Sequence, residues 1–146
     1  GVGAGEAWEE GIVRIDEFLL ARVAEDESVA RAAIAVSSAD WVANNSLLMF
    51  LDHERSALVL ADVDHYSQDP AWFHVERHDP ARVLAECEAK RRVVDAAWCD
   101  HEFIEMDRGL GLDRDEMAER NDYPIIIRIL AAVYADHPDF DPAWRL

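Results

Sequence analysis

A single lysine, Lys90, stands in the whole chain, against thirteen arginines. Positive charge is scarce overall: 14 Lys plus Arg face 31 Asp plus Glu, for a formal net charge of −17. The deficit is spread evenly, because residues 1–40, 41–112 and 113–146 are each net negative. Nonspecific binding to nucleic acid or to anionic lipid runs on clustered cations. The one cluster is Lys90-Arg91-Arg92, with Arg82 two turns earlier, and acids surround it. Direct nucleic-acid binding is therefore disfavoured. The preference for Arg suits bidentate pairing with carboxylates, although GC-rich coding bias is the plainer explanation.

Cysteine is nearly absent too. Cys87 and Cys99 form neither a CxxC pair nor a dense framework, so reduced thiols and a cytoplasmic setting are the expectation. Long apolar runs are missing. Leu47 to Leu51, Ala57 to Ala61 and Ile125 to Ile127 fall far short of the roughly 20 residues that cross a bilayer. The opening, Gly1 to Gly5, lacks the basic and apolar regions of a signal peptide. Residues 1–6 read as a disordered end or a cloning remnant. There is no P-loop, GxGxxG, GxSxG or EF-hand spacing, which removes the commonest nucleotide, hydrolase and calcium signatures.

What is present is the balance of a globular protein, 51% hydrophobic and 31% charged. At 146 residues it fits one domain, 1–146, able to bury a core without disulfides or metal staples. Ile12, Ile15, Leu19 and Val23 recur at spacings of three and four, and Ala30, Ala33 and Ile34 extend the stripe, so residues 7–34 read as one long helix or two abutting ones. The cluster Ser37 to Asp40 ends it. Residues 41–63 change to short apolar runs separated by Asn44-Asn45 and by Asp52 to Ser56, the pattern of a small antiparallel meander. A short helix can follow from Pro70 to Arg77. Asp79 then caps a long helix that opens on Pro80 and runs to about Met106, where Gly109 and Gly111 break it. Asp113 with Glu116 starts a short helix, and Ile125 to Tyr134 reads as a buried final one. The tail, with Pro138 and Pro142, reads as extended and anchored by Phe140 and Trp144. The expected class is α+β: a long N-terminal helix, a small antiparallel β-meander, and two to three C-terminal helices.

Three segments carry a resemblance: HVERHDPARVLAECEAKRRVVD at 74–95, LAAVYADHPDFDPAWR at 130–145, and the acidic helix IDEFLLARVAEDESVARAA at 15–33. Together they resemble a domain-of-unknown-function family of small proteins from actinobacteria and their phages. The likeness covers about three quarters of the chain and is weakest at 41–72 and 100–122. Ser38-Ala39-Asp40-Trp41 replaces that family's Pro-Gly-Pro-Trp-like turn and keeps only the Trp. The resemblance implies an intracellular protein and transfers no activity.

For chemistry, His74 and His78 are the most pointed pair. At i and i+4 of a helix both imidazoles share a face that zinc or nickel accepts, with a third ligand drawn from His137 or His101. The order is HxExH rather than HExxH, so Glu76 would point away. The plainer reading makes His78 a packing residue before the Asp79-Pro80 start. Cys99, His101 and Glu105 form a second group, but Cys99 and His101 are two apart and face different sides of a helix, which disfavours Cys-His catalysis. Asp62 with Asp64, and Asp136 with Asp139 and Asp141, are oxygen-rich sets that so acidic a chain produces by chance. Trp72, Phe73 and Trp144 would mark an interface if exposed.

Three functions stay open on this reading. The leading one is a non-enzymatic interaction or regulatory module that meets another protein with a basic surface, a homodimer also being compatible. The second is a nucleic-acid mimic or inhibitor of a DNA-binding or defence protein. The third is a small enzyme using a divalent metal held by His74, His78 and His137.

Overall fold

The computed structural model describes residues 13–36, 41–44, 47–51, 57–62 and 70–146. Among the described residues five α-helices dominate: α1 (Ile15–Val36), α2 (Pro70–Arg77), α3 (Pro80–Asp107), α4 (Arg114–Glu119) and α5 (Ile125–Ala131). Single 3-10 turns follow at Ala132–Tyr134 and Pro142–Trp144. Three strands lie between α1 and α2: β1 (Trp41–Asn44), β2 (Leu47–Leu51) and β3 (Ala57–Asp62).

The α+β expectation is corrected here. The protein is mostly helical. Helices of 22 and 28 residues outweigh strands of four, five and six, and among the described residues four helices, not two to three, follow the strands. The physical reason lies in α3. No Gly or Pro interrupts it after Pro80, so one nucleation event propagates through eight turns. The strands have no such length to draw on.

Two compact units divide the chain, and the divisions fall inside α1 and α3: residues 1–23 with 90–146, and residues 24–89. In the second unit the strands pair antiparallel in the order β1-β2-β3. Trp41 opposes Phe50, and Leu51 opposes Ala57. Between the pairs Leu48–Ala61 and Met49–Val59 the register shifts, leaving Leu60 as the extra residue of a bulge. A three-stranded sheet needs a packing surface, and α2 packs against β1. Asp79 joins these parts. Its Oδ1 accepts from the Arg82 amide at 3.0 Å, the N-cap bond for α3, and its Oδ2 accepts from the Trp41 amide at 3.4 Å. Pro80 beside it lacks the N–H that a first-turn position leaves orphaned.

In the first unit, Ile15, Phe18, Leu19 and Val23 of α1 are all buried, as their three-and-four spacing requires. Val94 and Trp98 of α3, Met117 of α4, and Ile127 and Ala131 of α5 are buried with them. Each large side chain contributes about 1.5–3 kcal/mol by leaving water. After α3, Gly109 and Gly111 take φ of 78° and 56°, a left-handed backbone that other residues resist. Asp113 caps α4 by accepting from the Glu116 amide at 2.8 Å. The tail is less extended than its prolines suggested, because Asp141 caps the last 3-10 turn through the Ala143 amide at 2.9 Å. Phe140 and Trp144 anchor it in the core.

The region before residue 13, the Ser37–Asp40 turn, and the Asp52–Ser56 loop lie outside the described residues. So does Asp64 of the Asp62–Asp64 set.

Candidate functional site

Helix α2 ends at Arg77, one residue before His78, yet the His74–His78 pair does not splay. The His78 amide donates to the carbonyls of His74 (3.1 Å) and Val75 (3.2 Å), which prolongs the turn. The two rings lie 4.4 Å apart, centroid to centroid. Both are exposed and line an open cleft of about 530 Å³ with Pro70, Phe73, Arg77 and Arg82. Phe73 is exposed at its edge, while Trp72 belongs to the same helix. Arg82 is ion-paired to Glu86 at 2.7 Å.

His137 belongs to the other unit. Its Nδ1 accepts from the Asp139 amide at 3.1 Å, its Nε2 meets the Arg22 guanidinium, and its ring stands edge-on to Phe18 at 5.6 Å. Both ring nitrogens are therefore engaged. Trp144, expected as an interface residue if exposed, is 8% exposed. It leans on Phe18 at 5.3 Å and meets Phe140 edge-on at 5.4 Å. It is a core anchor, because an indole so enclosed gains more from aromatic packing than from solvent.

A different set of residues converges. His101 and Glu105 sit one turn apart on α3, and Asp122 follows α4. Their ligand atoms all lie within 4.8 Å of one another, the one such group of three among the described residues. His101 Nε2 and Asp122 Oδ1 are hydrogen-bonded at 3.0 Å. Glu105 is 4% exposed, with the guanidinium of the largely exposed Arg108 at 3.3 Å. Trp98 flanks the cluster, edge-on to His101 at 6.1 Å and tilted on Tyr123 at 5.8 Å.

Asp122 is held by a Schellman end to α4. Asn121 takes φ of 55°, its amide donates to Ala118 O at 2.9 Å, and the Asp122 amide donates to Met117 O at 2.8 Å. One nitrogen and two oxygens could hold a divalent cation. Burial pushes the Tyr123 phenol pKa up, helped by the negative charge of Asp16. Nearby, burial works against the charge on Arg14. Its fork of hydrogen bonds to Asp16 (3.0 and 2.9 Å) and its pairing with Asp115 outweigh that and hold its pKa above the ordinary value.

Helix α5 presents a second feature. Its sequence, IIIRILA, is apolar nearly all round, the pattern of a helix covered on both sides. Ile127 and Ala131 are buried. Ile125, Ile129 and, one turn past the helix, Val133 are 61%, 51% and 74% exposed. Ile125 and Ile129, four apart on α5, share a helix face, and with Val133 of the following 3-10 turn they form an exposed aliphatic stripe along the chain. The expectation of a buried final helix from Ile125 to Tyr134 is thereby corrected: the α-helix gives way to a 3-10 turn at Ala132, and one face packs while the opposite face does not. Phe103, Met106 and Leu110, at the end of α3, are also exposed.

The model of a family of unknown function, DUF6221, matches residues 13–146. The chain belongs to the DUF6221 family. Comparison with curated proteins and with solved structures found no match. This DUF6221 chain has no helix, among its described residues, long and apolar enough to cross a membrane. In it Cys87 is buried, and Cys99 is exposed with the Arg114 guanidinium 3.4 Å from its sulfur. His101 and Cys99 therefore have separate partners, as their two-residue spacing implies. Asp122 carries no local motif, and only the i,i+4 spacing of His101 and Glu105 could have signalled the cluster from sequence. The Ile125–Ile129–Val133 stripe was visible as an apolar run but not as an exposed one.

Proposed function

We propose that this protein is a non-enzymatic interaction module that docks another protein on the stripe formed by Ile125, Ile129 and Val133. The observation that carries the reading is the exposure of two large aliphatic side chains, Ile125 and Ile129, on one face of a nearly all-apolar helix, with exposed Val133 in the 3-10 turn that follows it. Contiguous exposed apolar surface of this kind marks association sites. The partner face is apolar at its centre and basic at its rim. Charge complementarity supports this, since a chain of net charge −17 draws a cationic partner and repels a copy of itself. The reading places the protein in the cytoplasm, in keeping with two cysteines that form no disulfide.

The test has two arms. Sedimentation velocity of the purified chain should show a monomer, and a dimer abolished by Ile129→Glu would replace the foreign partner with a second copy. Affinity purification with wild-type and Ile129→Glu baits should recover a basic protein with the first alone. That protein, purified separately, should rebind wild type at least ten-fold more tightly. Equal rebinding of both baits would overturn the proposal.

A further inference from the structure

We propose that His101, Glu105 and Asp122 form a binding site for a zinc-like divalent cation, independent of the docking stripe. Three observations carry this. The donors are held by elements that fix their positions: one face of α3 supplies His101 and Glu105, and the Schellman turn supplies Asp122. They already converge, with all ligand atoms within 4.8 Å and the His101–Asp122 contact at 3.0 Å. Glu105 is a buried carboxylate. Burying a carboxylate is costly unless close, well-placed partners compensate, and the side chain of Arg108, largely in solvent, is a weak one at 3.3 Å.

The geometry suits a small transition ion. With bonds of about 2.0–2.2 Å, donors around a tetrahedral centre stand roughly 3.4 Å apart. Reaching that from the present spacing takes shifts of about 1 Å, within the reach of the half-exposed Asp122 side chain. The ion would take the place of the His101–Asp122 hydrogen bond, with the neutral imidazole keeping its one N–H on Nδ1 and turning its Nε2 lone pair to the metal. An imidazole with two carboxylates favours zinc over magnesium, which prefers an all-oxygen shell and keeps its waters. Three protein ligands leave a fourth position open to water, and the partial exposure of His101 and Asp122 gives the ion a path in.

The His74–His78 pair and the Cys99 thiol are rival ligands, so the experiment removes them first. Zinc chloride is titrated calorimetrically into the full chain carrying His74→Ala, His78→Ala and Cys99→Ser. The expected result is one ion per chain, accompanied by a raised melting temperature. Adding His101→Ala, or the near-isosteric Asp122→Asn, should weaken binding at least ten-fold while the circular dichroism spectrum is retained. Glu105→Gln, which keeps the side-chain volume, should do the same. Absence of zinc binding in the triple variant overturns the proposal. So does binding that His101→Ala and Asp122→Asn leave unchanged, or full competition by equimolar magnesium.

Discussion

Trp144 separates two roles that its position near the chain end leaves open, interface residue and core anchor. Replacing it with alanine removes an indole that is 8% exposed and touches two aromatic rings. Large aromatic-to-alanine changes in cores cost about 3–5 kcal/mol. The two ring contacts account for about 1–3 kcal/mol of that, at about 0.5–1.5 each. Trp144→Phe keeps an aromatic body and should cost less than half as much. The assay is urea unfolding followed by far-ultraviolet circular dichroism, which does not depend on the removed fluorophore. A drop of this size is a large share of the stability of a typical domain, about 5–15 kcal/mol, so the midpoint should fall steeply. A loss below about 1 kcal/mol would refute the reasoning, for it would mean that the last turn opens independently of the core.

Other expectations follow from individual contacts. Asn121→Val should cost about 1–2 kcal/mol, because a β-branched residue resists φ of 55°, whereas Asn121→Gly should be neutral or slightly stabilising in thermal melts. Asp113→Ala removes the cap on α4 and should lower stability by about 1 kcal/mol in the same assay. The raised Tyr123 phenol pKa implies that the folded state holds this proton more tightly than the unfolded chain, whose tyrosines ionise near pH 10. Its stabilising contribution is complete below that pH and is lost as pH rises through the folded value. Melting temperatures from pH 9 to 11 should therefore fall more steeply for wild type than for Tyr123→Phe. Ile129→Ser, on the exposed stripe, should change stability by less than about 0.5 kcal/mol.

The helices were legible wherever a local rule decides them. The stripe Ile15, Leu19, Val23 placed α1, and the caps Asp79-Pro80 and Asp113 placed the starts of α3 and α4, with glycines at 109 and 111 ending α3. The class was less legible, because short apolar runs such as Leu47–Leu51 mark strands but not their small share beside a 28-residue helix. The candidate sites were less visible, because they depend on tertiary placement. His74 and His78 come together through a purely local spacing, which the i,i+4 rule anticipates. Asp122 reaches His101 only through a left-handed Asn121 after a different helix, a contact that no periodicity encodes. Apolar character alone gave no way to tell which side of α5 would be covered. Ile125 and Ile127 read alike, yet one is exposed and the other is enclosed.

Hydrogen–deuterium exchange on the reconstituted complex with the basic partner tests the central claim most directly. New protection should concentrate in peptides covering residues 125–134, with little change in α2 around His74 and His78. Protection that spares residues 125–134, or that centres on the His74–Arg82 cleft instead, would contradict the assignment of the docking face.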